Sequence, residues 1–292
     1  MSVSVCIFAR NEERLLPRCA GALDAAGLGA NDQTHILVNG CTDDTLAAAK
    51  LLAAADRRIT VHELPVGDKA NAWNEYIHRL ADPEVPVHVF IDGDITASED
   101  AIATLGAALK AAPDAYAAAA LPAAGRSRRG WATLLLTNNY LSGNLYALSG
   151  ACIAAFRREV LHLPYGAKGE DGLITYLLLT DLKGGPDDSH KQRIVIAEEA
   201  TFEFDSLQAN WRDFDLYRRR LRRYSERHFQ KQVLYRLLKE RGAEAMPETI
   251  YEIYTQETLA ALRPRLGLVD YWFDRATLKR LRAKQALSAA SV

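Results

Sequence analysis

Residues 3–91 alternate short apolar runs with stretches of helical spacing, and that order admits few folds. The runs at 3–8, 35–38, 59–64 and 85–91 have the length and apolar content of buried strands. Between them, residues 12–26, 43–55 and 69–80 place apolar side chains at helical intervals. Strand–helix–strand repetition at this spacing predicts an α/β fold, a Rossmann-like and mostly parallel sheet with helices on both faces. Sheets of this kind hold ligands beyond the carboxyl ends of their strands.

Those ends are unusually polar. Ala9-Arg10-Asn11-Glu12 follows the first strand, Asn39-Gly40-Cys41-Thr42-Asp43-Asp44-Thr45 the second, Gly67-Asp68-Lys69-Ala70-Asn71 the third and Asp92-Gly93-Asp94 the fourth. Their convergence on one sheet edge is the main evidence for a binding site.

Downstream the pattern loosens. A helix is expected over 100–112, an Ala-rich strand over 115–121, then a basic loop, Gly125-Arg126-Ser127-Arg128-Arg129-Gly130, leading to a helix from Trp131. A strand is expected over 149–156, a helix over 171–179 and a last strand over 193–204. Beyond Trp211 the chain turns helical and basic, with Phe214, Tyr217, Leu221, Tyr224, Val233, Leu237 and Leu238 on one face. Residues 1–210 are therefore expected to form the ligand-binding catalytic domain and 211–292 a helical C-terminal extension, with a soft boundary near Asn210. From 212 to 241 there are 11 Lys or Arg against 4 Asp or Glu. Such a run could clamp a diphosphate, grip an acidic acceptor or touch an anionic membrane surface, or it could be a solvated face.

Composition excludes more than it identifies. With 49% hydrophobic and 25% charged residues among 292, the chain is ordinary for a globular protein, and its net charge of −1 makes no case for nucleic-acid binding. No stretch reaches the roughly 18 apolar residues of a membrane span, and the first residues lack a basic leader. Cys6, Cys19, Cys41 and Cys152 have no zinc or redox spacing. The expectation is a cytoplasmic protein with inert thiols. Aromatics after Met246 (Tyr251, Tyr254, Tyr271, Trp272 and Phe273) could bury a homodimer face.

Asp92-Gly93-Asp94 carries the chemistry. Two carboxylates one residue apart at a strand end can hold a hard cation that bridges the phosphates of a nucleotide-sugar. The spacing recurs at Asp213-Phe214-Asp215, where the start of a solvated helix explains it, so context and not spacing gives the first pair its weight. Asp43 and Asp44 read as ordinary acids at a helix N-terminus. Asn39 precedes that cap and can face a base or ribose. Lys69 opens a helix, where a cation opposes the dipole, and so suits a nucleotide's phosphates or base. Asp68 could be its partner or a cap. Glu170-Asp171 opens another helix, and a carboxylate there could deprotonate an acceptor hydroxyl or simply favour the helix start.

Taken together these residues resemble the family-2 glycosyltransferases of the GT-A fold, over residues 3–224. The resemblance rests on Ala9-Arg10-Asn11-Glu12 after the first strand, on Val38-Asn39-Gly40-Cys41-Thr42-Asp43, and on Gly67-Asp68-Lys69-Ala70-Asn71-Ala72-Trp73-Asn74. Asp92-Gly93-Asp94 stands where the family has its metal-binding motif, residues 149–161 resemble its acceptor-side strand and turn, and Gly169-Glu170-Asp171 matches its Glu-Asp motif. The resemblance implies an inverting single displacement with a nucleotide-diphosphate sugar as donor, a UDP-sugar foremost, and a divalent metal (Mn2+ or Mg2+) on Asp92 and Asp94. It makes Asp171 the catalytic base, with Glu170 beside it. Phe8, Ala9, Arg10, Glu12, Asn39, Asp68, Lys69, Asp92 and Gly93 would line the nucleotide pocket. The family's base-recognising Asp is replaced here by Val38 or Asn39, and its processive signature is only echoed by Arg220-Leu221-Arg222-Arg223-Tyr224. No His follows Phe204, which leaves His228 as a substitute metal ligand. The acceptor stays open. Rival readings are a nucleotidyltransferase, against which the glycine-free turn after Phe8 counts, and a non-catalytic scaffold binding partners through its basic helices.

Overall fold

The computed structural model describes residues 2–125, 128–205 and 211–290. Arg126 and Ser127 of the basic loop, the boundary expected near Asn210, and the side chains of Asp213 and Asp215 lie outside the described residues.

The first half follows the alternation. β1 (Val3–Ala9), α1 (Leu16–Gly21), β2 (Gln33–Asn39), α2 (Thr45–Ala55), β3 (Ile59–Leu64), α3 (Lys69–Glu75) and β4 (Val87–Asp92) succeed one another. A short β5 (Ile95–Ala97) precedes α4 (Ala101–Ala111), β6 (Ala117–Pro122), α5 (Arg128–Asn138) and β7 (Leu145–Ser149). Then come α6 (Gly150–Arg158), α7 (Glu170–Leu179), β8 (Ile194–Phe204), α8 (Trp211–Arg241), α9 (Gln256–Ala261) and α10 (Leu268–Ala290). The sheet order is β3-β2-β1-β4-β7-β6-β8-β5. β1 to β4 run parallel, β7 is antiparallel to both β4 and β6, and β8 is parallel to β6.

Strand alternation assigns the two faces. Val5 and Ile7 of β1 meet Leu16, Ile102 and Leu105 from α1 and α4 on one side. Cys6 and Phe8 meet Trp73, Tyr76 and Phe156 from the α3 and α6 side on the other. Trp73 is fully buried, and its indole N–H donates to Tyr146 Oη at 3.1 Å, so a large apolar body is removed from water without stranding its polar atom. Burial of each such side chain contributes on the order of 2–3 kcal/mol.

Two expectations need correction. Residues 149–156 are not a strand: β7 ends at Ser149, whose hydroxyl accepts from the Cys152 N–H at 3.2 Å and caps α6. A short apolar run has no periodicity to tell strand from buried helix. The first helix is only Leu16–Gly21, because Pro17 fits only its opening turn, and the chain goes on in turns to Gly27. On α8, Phe214, Tyr217 and Tyr224 are exposed. The core takes Phe229, Val233, Leu234 and Leu238, which pack with α7. Among the later aromatics, Tyr254 and Phe273 are buried within the chain, whereas Tyr251, Tyr271 and Trp272 are exposed. No helix among the described residues is long and apolar enough to cross a membrane.

Candidate active site

The polar corners do converge, and local hydrogen bonds show how. Asn11 sits in the left-handed region (φ +60°), and its Oδ1 accepts from the Thr42 N–H at 2.8 Å. The Glu12 N–H donates to Thr45 Oγ1 at 2.7 Å, which staples the turn after β1 to the one after β2. Gly40 (φ +56°) has no room for a Cβ, which would lie 2.2 Å from the Gly67 nitrogen. The loops after β2 and β3 therefore touch only because that side chain is missing. Asp68 caps α3 through Asn71 N–H at 2.8 Å and accepts from Gly166 N–H at 3.0 Å, while its own N–H donates to Asn39 Oδ1 at 3.0 Å. Asp43 accepts from Thr45 and Glu13 in the same capping manner.

Two joined lobes open at this edge, one of about 440 Å³ and one of about 1050 Å³. Phe8, Arg10, Asn39, Lys69, Gly93 and Glu170 line the smaller lobe. Glu12, Asp92, Asp94, Asn144, Asp171 and Arg227 stand on the wall that both share. Ala9 and Asp68 are buried behind the wall and do not line it. His228 is also elsewhere, its ring bonded to the Arg263 carbonyl at 2.9 Å.

Lys69 is the centre of the smaller lobe. Its ammonium lies 2.5 Å from Asp92 and 2.9 Å from Glu170, donates to the Gly143 carbonyl at 3.0 Å, and sits 5.4 Å over the Phe8 ring. Burial works against this charge, yet Asp92 and Glu170 hold Lys69 well above the usual lysine range. Burial likewise opposes the Glu170 carboxylate, but Lys69 keeps it below its ordinary value. Asp92 is raised by burial, with Lys69 opposing and Asp94 adding, and its second oxygen accepts from Asn144 at 3.3 Å.

The shared wall holds excess negative charge. Burial and then Asp94, Asp92 and Asp43 push Glu12 up to about 8. Asp94 itself has no hydrogen bond or ion pair among the described residues, so its carboxylate is open to the cleft. Among the described residues no three His, Cys, Asp or Glu side chains could by themselves hold a metal ion. A divalent cation nevertheless fits the donor set, because it would relieve the crowding of Glu12, Asp92 and Asp94 and complete its shell with ligand oxygens and water.

Asp171, on the first turn of α7, accepts at Oδ1 from Arg227 Nη2 of α8 at 3.1 Å. Among the described residues its Oδ2 has no partner, and it faces Gly143. Arg227, Asn144, Gly143 and Trp131 were not singled out in the sequence. Arg227 lies within the basic run, but nothing local marks it as the residue that reaches the Glu-Asp turn.

The fold is that of solved GT-A glycosyltransferases. A mannosyltransferase, PcManGT from Pyrobaculum calidifontis, solved in complex with GDP-Man and Mn2+, is similar at TM-score 0.59 and 17% identity, over 99% of this chain and 79% of that one. S. aureus TarS 1-349 is similar at TM-score 0.52 and 13% identity, over 100% of this chain and 92% of that one. Glucosyl-3-phosphoglycerate synthase from Mycobacterium tuberculosis, in complex with Mn2+, UDP and glucosyl-3-phosphoglycerate, is similar at TM-score 0.52 and 20% identity, over 77% and 79%. A search of curated protein sequences finds no match. The glycosyl transferase family 2 model matches residues 4–162, more than half of the chain, and the chain belongs to that family.

Proposed function

We propose that this chain is an inverting, metal-dependent glycosyltransferase that moves a sugar from a nucleotide-diphosphate donor, foremost a UDP-sugar, onto an acceptor hydroxyl. The observation that carries this is the shared wall, where the open carboxylate of Asp94 and the half-free carboxylate of Asp171 stand in one cleft. The nucleotide-bound states of PcManGT and the synthase support the donor class.

In this reading the smaller lobe takes the nucleotide. Phe8 flanks the base and ribose, Asn39 shapes the loop behind them, and Arg10 and Lys69 reach the phosphates. Glu170 holds Lys69 in place. Asp94, with Asp92, would hold Mn2+ or Mg2+. When bound, that cation would supply positive charge to the leaving diphosphate. Asp171 Oδ2 takes the proton of the acceptor hydroxyl as its oxygen bonds to the anomeric carbon and the bond from that carbon to the diphosphate breaks. Arg227 on Oδ1 fixes the carboxylate's orientation for that transfer.

Calorimetric titration of UDP and GDP, with and without Mn2+, tests the donor half. Wild type is expected to bind one of them in a metal-dependent manner, and Asp94→Ala to weaken it at least about tenfold. Asp171→Asn is expected to keep nucleotide affinity while transfer falls by about 10²- to 10⁴-fold. Absence of binding to either nucleotide under any metal condition would refute the proposal.

A further inference from the structure

We infer that the acceptor is an anionic alcohol, carrying a phosphate or carboxylate close to its attacking hydroxyl, and that Lys231 and Tyr235 of α8 recognise the anion. This rests on the transferase function proposed above, since it assigns the larger lobe to the acceptor.

α8 runs along that lobe and turns Arg220, Arg223, Arg227, Lys231, Tyr235 and Lys239 into it at intervals of three and four residues, one continuous helical stripe. Arg227 is neutralised by Asp171. Among the described residues the other four cations have no carboxylate partner, and Lys231 has only the Tyr235 ring, 5.9 Å from its ammonium. Of the lobe's other acids, Glu12, Asp92 and Asp94 stand on the wall shared with the smaller lobe, Asp205 is taken by Arg18 at 3.0 Å, and Asp188 has no ion pair with the stripe among the described residues.

The stripe comes closest to the reaction centre at Gly172, the residue after the proposed base. A Cβ there would lie 3.1 Å from Arg227 Nη2, 3.2 Å from the Tyr235 hydroxyl and 3.9 Å from Lys231 Cε. A missing side chain thus lets two cationic groups and a hydroxyl converge beside Asp171. Among the described residues Tyr235 Oη has no hydrogen-bond partner, whereas the hydroxyl of its ring neighbour Tyr176 is committed to the Gly185 carbonyl at 2.6 Å. Burial and the nearby Arg227 lower Lys231 below the usual lysine range, as expected of positive charge that lacks its counter-ion. A neutral glycan end would leave these donors unanswered. A phosphate or carboxylate one helical turn from Arg227, about 6 Å along the axis, would answer them and leave its hydroxyl within reach of Asp171.

Glycerol 1-phosphate and glycerol are the probes, titrated calorimetrically into protein whose smaller lobe is saturated with UDP and Mn2+. The phosphate ester is expected to bind and glycerol not to. Lys231→Ala should weaken that binding about tenfold, and Tyr235→Phe about fivefold, while Lys231→Arg stays within about threefold of wild type. Vesicles of phosphatidylglycerol against phosphatidylcholine separate the sources of the anion. Lys231-dependent capture by the former points to a lipid-borne acceptor, and binding of the soluble ester without capture points to a free one. If neither glycerol 1-phosphate nor phosphatidylglycerol binds while UDP does, the inference falls and the transferase function stands. Equal affinity of wild type and Lys231→Ala overturns it too. Failure of UDP to bind removes both.

Discussion

Replacing Lys69 by Met is expected to cost more than any single change on the cleft's opposite wall. The thioether keeps an apolar stem against Phe8 but removes the one ammonium that Asp92 and Glu170 share. Those carboxylates are only 24% and 13% exposed, so both would be left in a poorly solvated place without the ion pair they share, Glu170 keeping only the more distant Arg227. Removing one partner of a buried pair costs about 3–5 kcal/mol, and the remaining exposure favours the lower end, about 3 kcal/mol at pH 8. For a chain of this length, with an unfolding entropy of about 2.1 cal/mol/K per residue, that is a fall in Tm of about 5 °C. The loss should depend on pH in a definite direction. In wild type Glu170 lies below its ordinary value, so its contribution is present above the unfolded pKa and is lost as pH falls through the folded one. Without Lys69, burial, the largest influence on both carboxylates, goes largely unopposed: Asp92, already raised in wild type, rises further, and Glu170 keeps only Arg227 and a backbone hydrogen bond against it, so the variant gains more stability than wild type as they take up protons. The gap in Tm should therefore narrow between pH 8 and pH 5.5. Scanning calorimetry at both values measures it. A Tm within 1 °C of wild type at pH 8, by the same entropy estimate a loss below about 0.6 kcal/mol, would refute the reasoning, as would a gap that does not change with pH.

Acid should also destabilise the wild-type core. His88 is fully buried, bonded through Nδ1 to Tyr76 at 2.9 Å with Nε2 unpartnered, and burial lowers it to about 4 from 6.5. The unfolded chain then binds the extra proton between those values, so the contribution of His88 to stability falls by about 2 kcal/mol on going from pH 7.5 to pH 5. His88→Gln should remove about 3 °C of that pH-dependent drop in thermal melts, and an unchanged drop would count against it. Gly172→Ala separates stability from function. Helix propensity favours Ala by about 1 kcal/mol, yet the new methyl presses on Arg227 and Tyr235. Tm should hold or rise while turnover falls, and a variant with wild-type turnover would show that the alignment of Arg227 is unimportant.

Most of the fold was legible because period-two and period-3.6 patterning is a local property. β3 over Ile59–Leu64 was read with its bounds, and the strand ends carrying Arg10, Asp92 and Asp94 followed from it. The first helix was overextended because a helical spacing says nothing about where tertiary packing stops holding it. Residues 149–156 fit a strand and a buried helix equally well, because an apolar run with no alternation carries neither period. The apolar face of α8 was legible but its burial was not: spacing identifies a face, and only tertiary packing decides that Val233 and Leu238 are buried while Phe214, Tyr217 and Tyr224 are exposed.

What the sequence determined by itself was the class of sheet, the edge where a ligand sits, and the acids that stand there, all consequences of residues near one another in the chain. Tertiary structure alone decided their partners. Lys69 reaches Asp92 and Glu170 across 23 and 101 residues, and Arg227 reaches Asp171 across 56. It also decided that Asn39 and Asp68 are spent on holding loops together while Asp94 stays open. Charge pairing and burial depend on distance in space, and no pattern within one segment encodes which distant segment will lie against it.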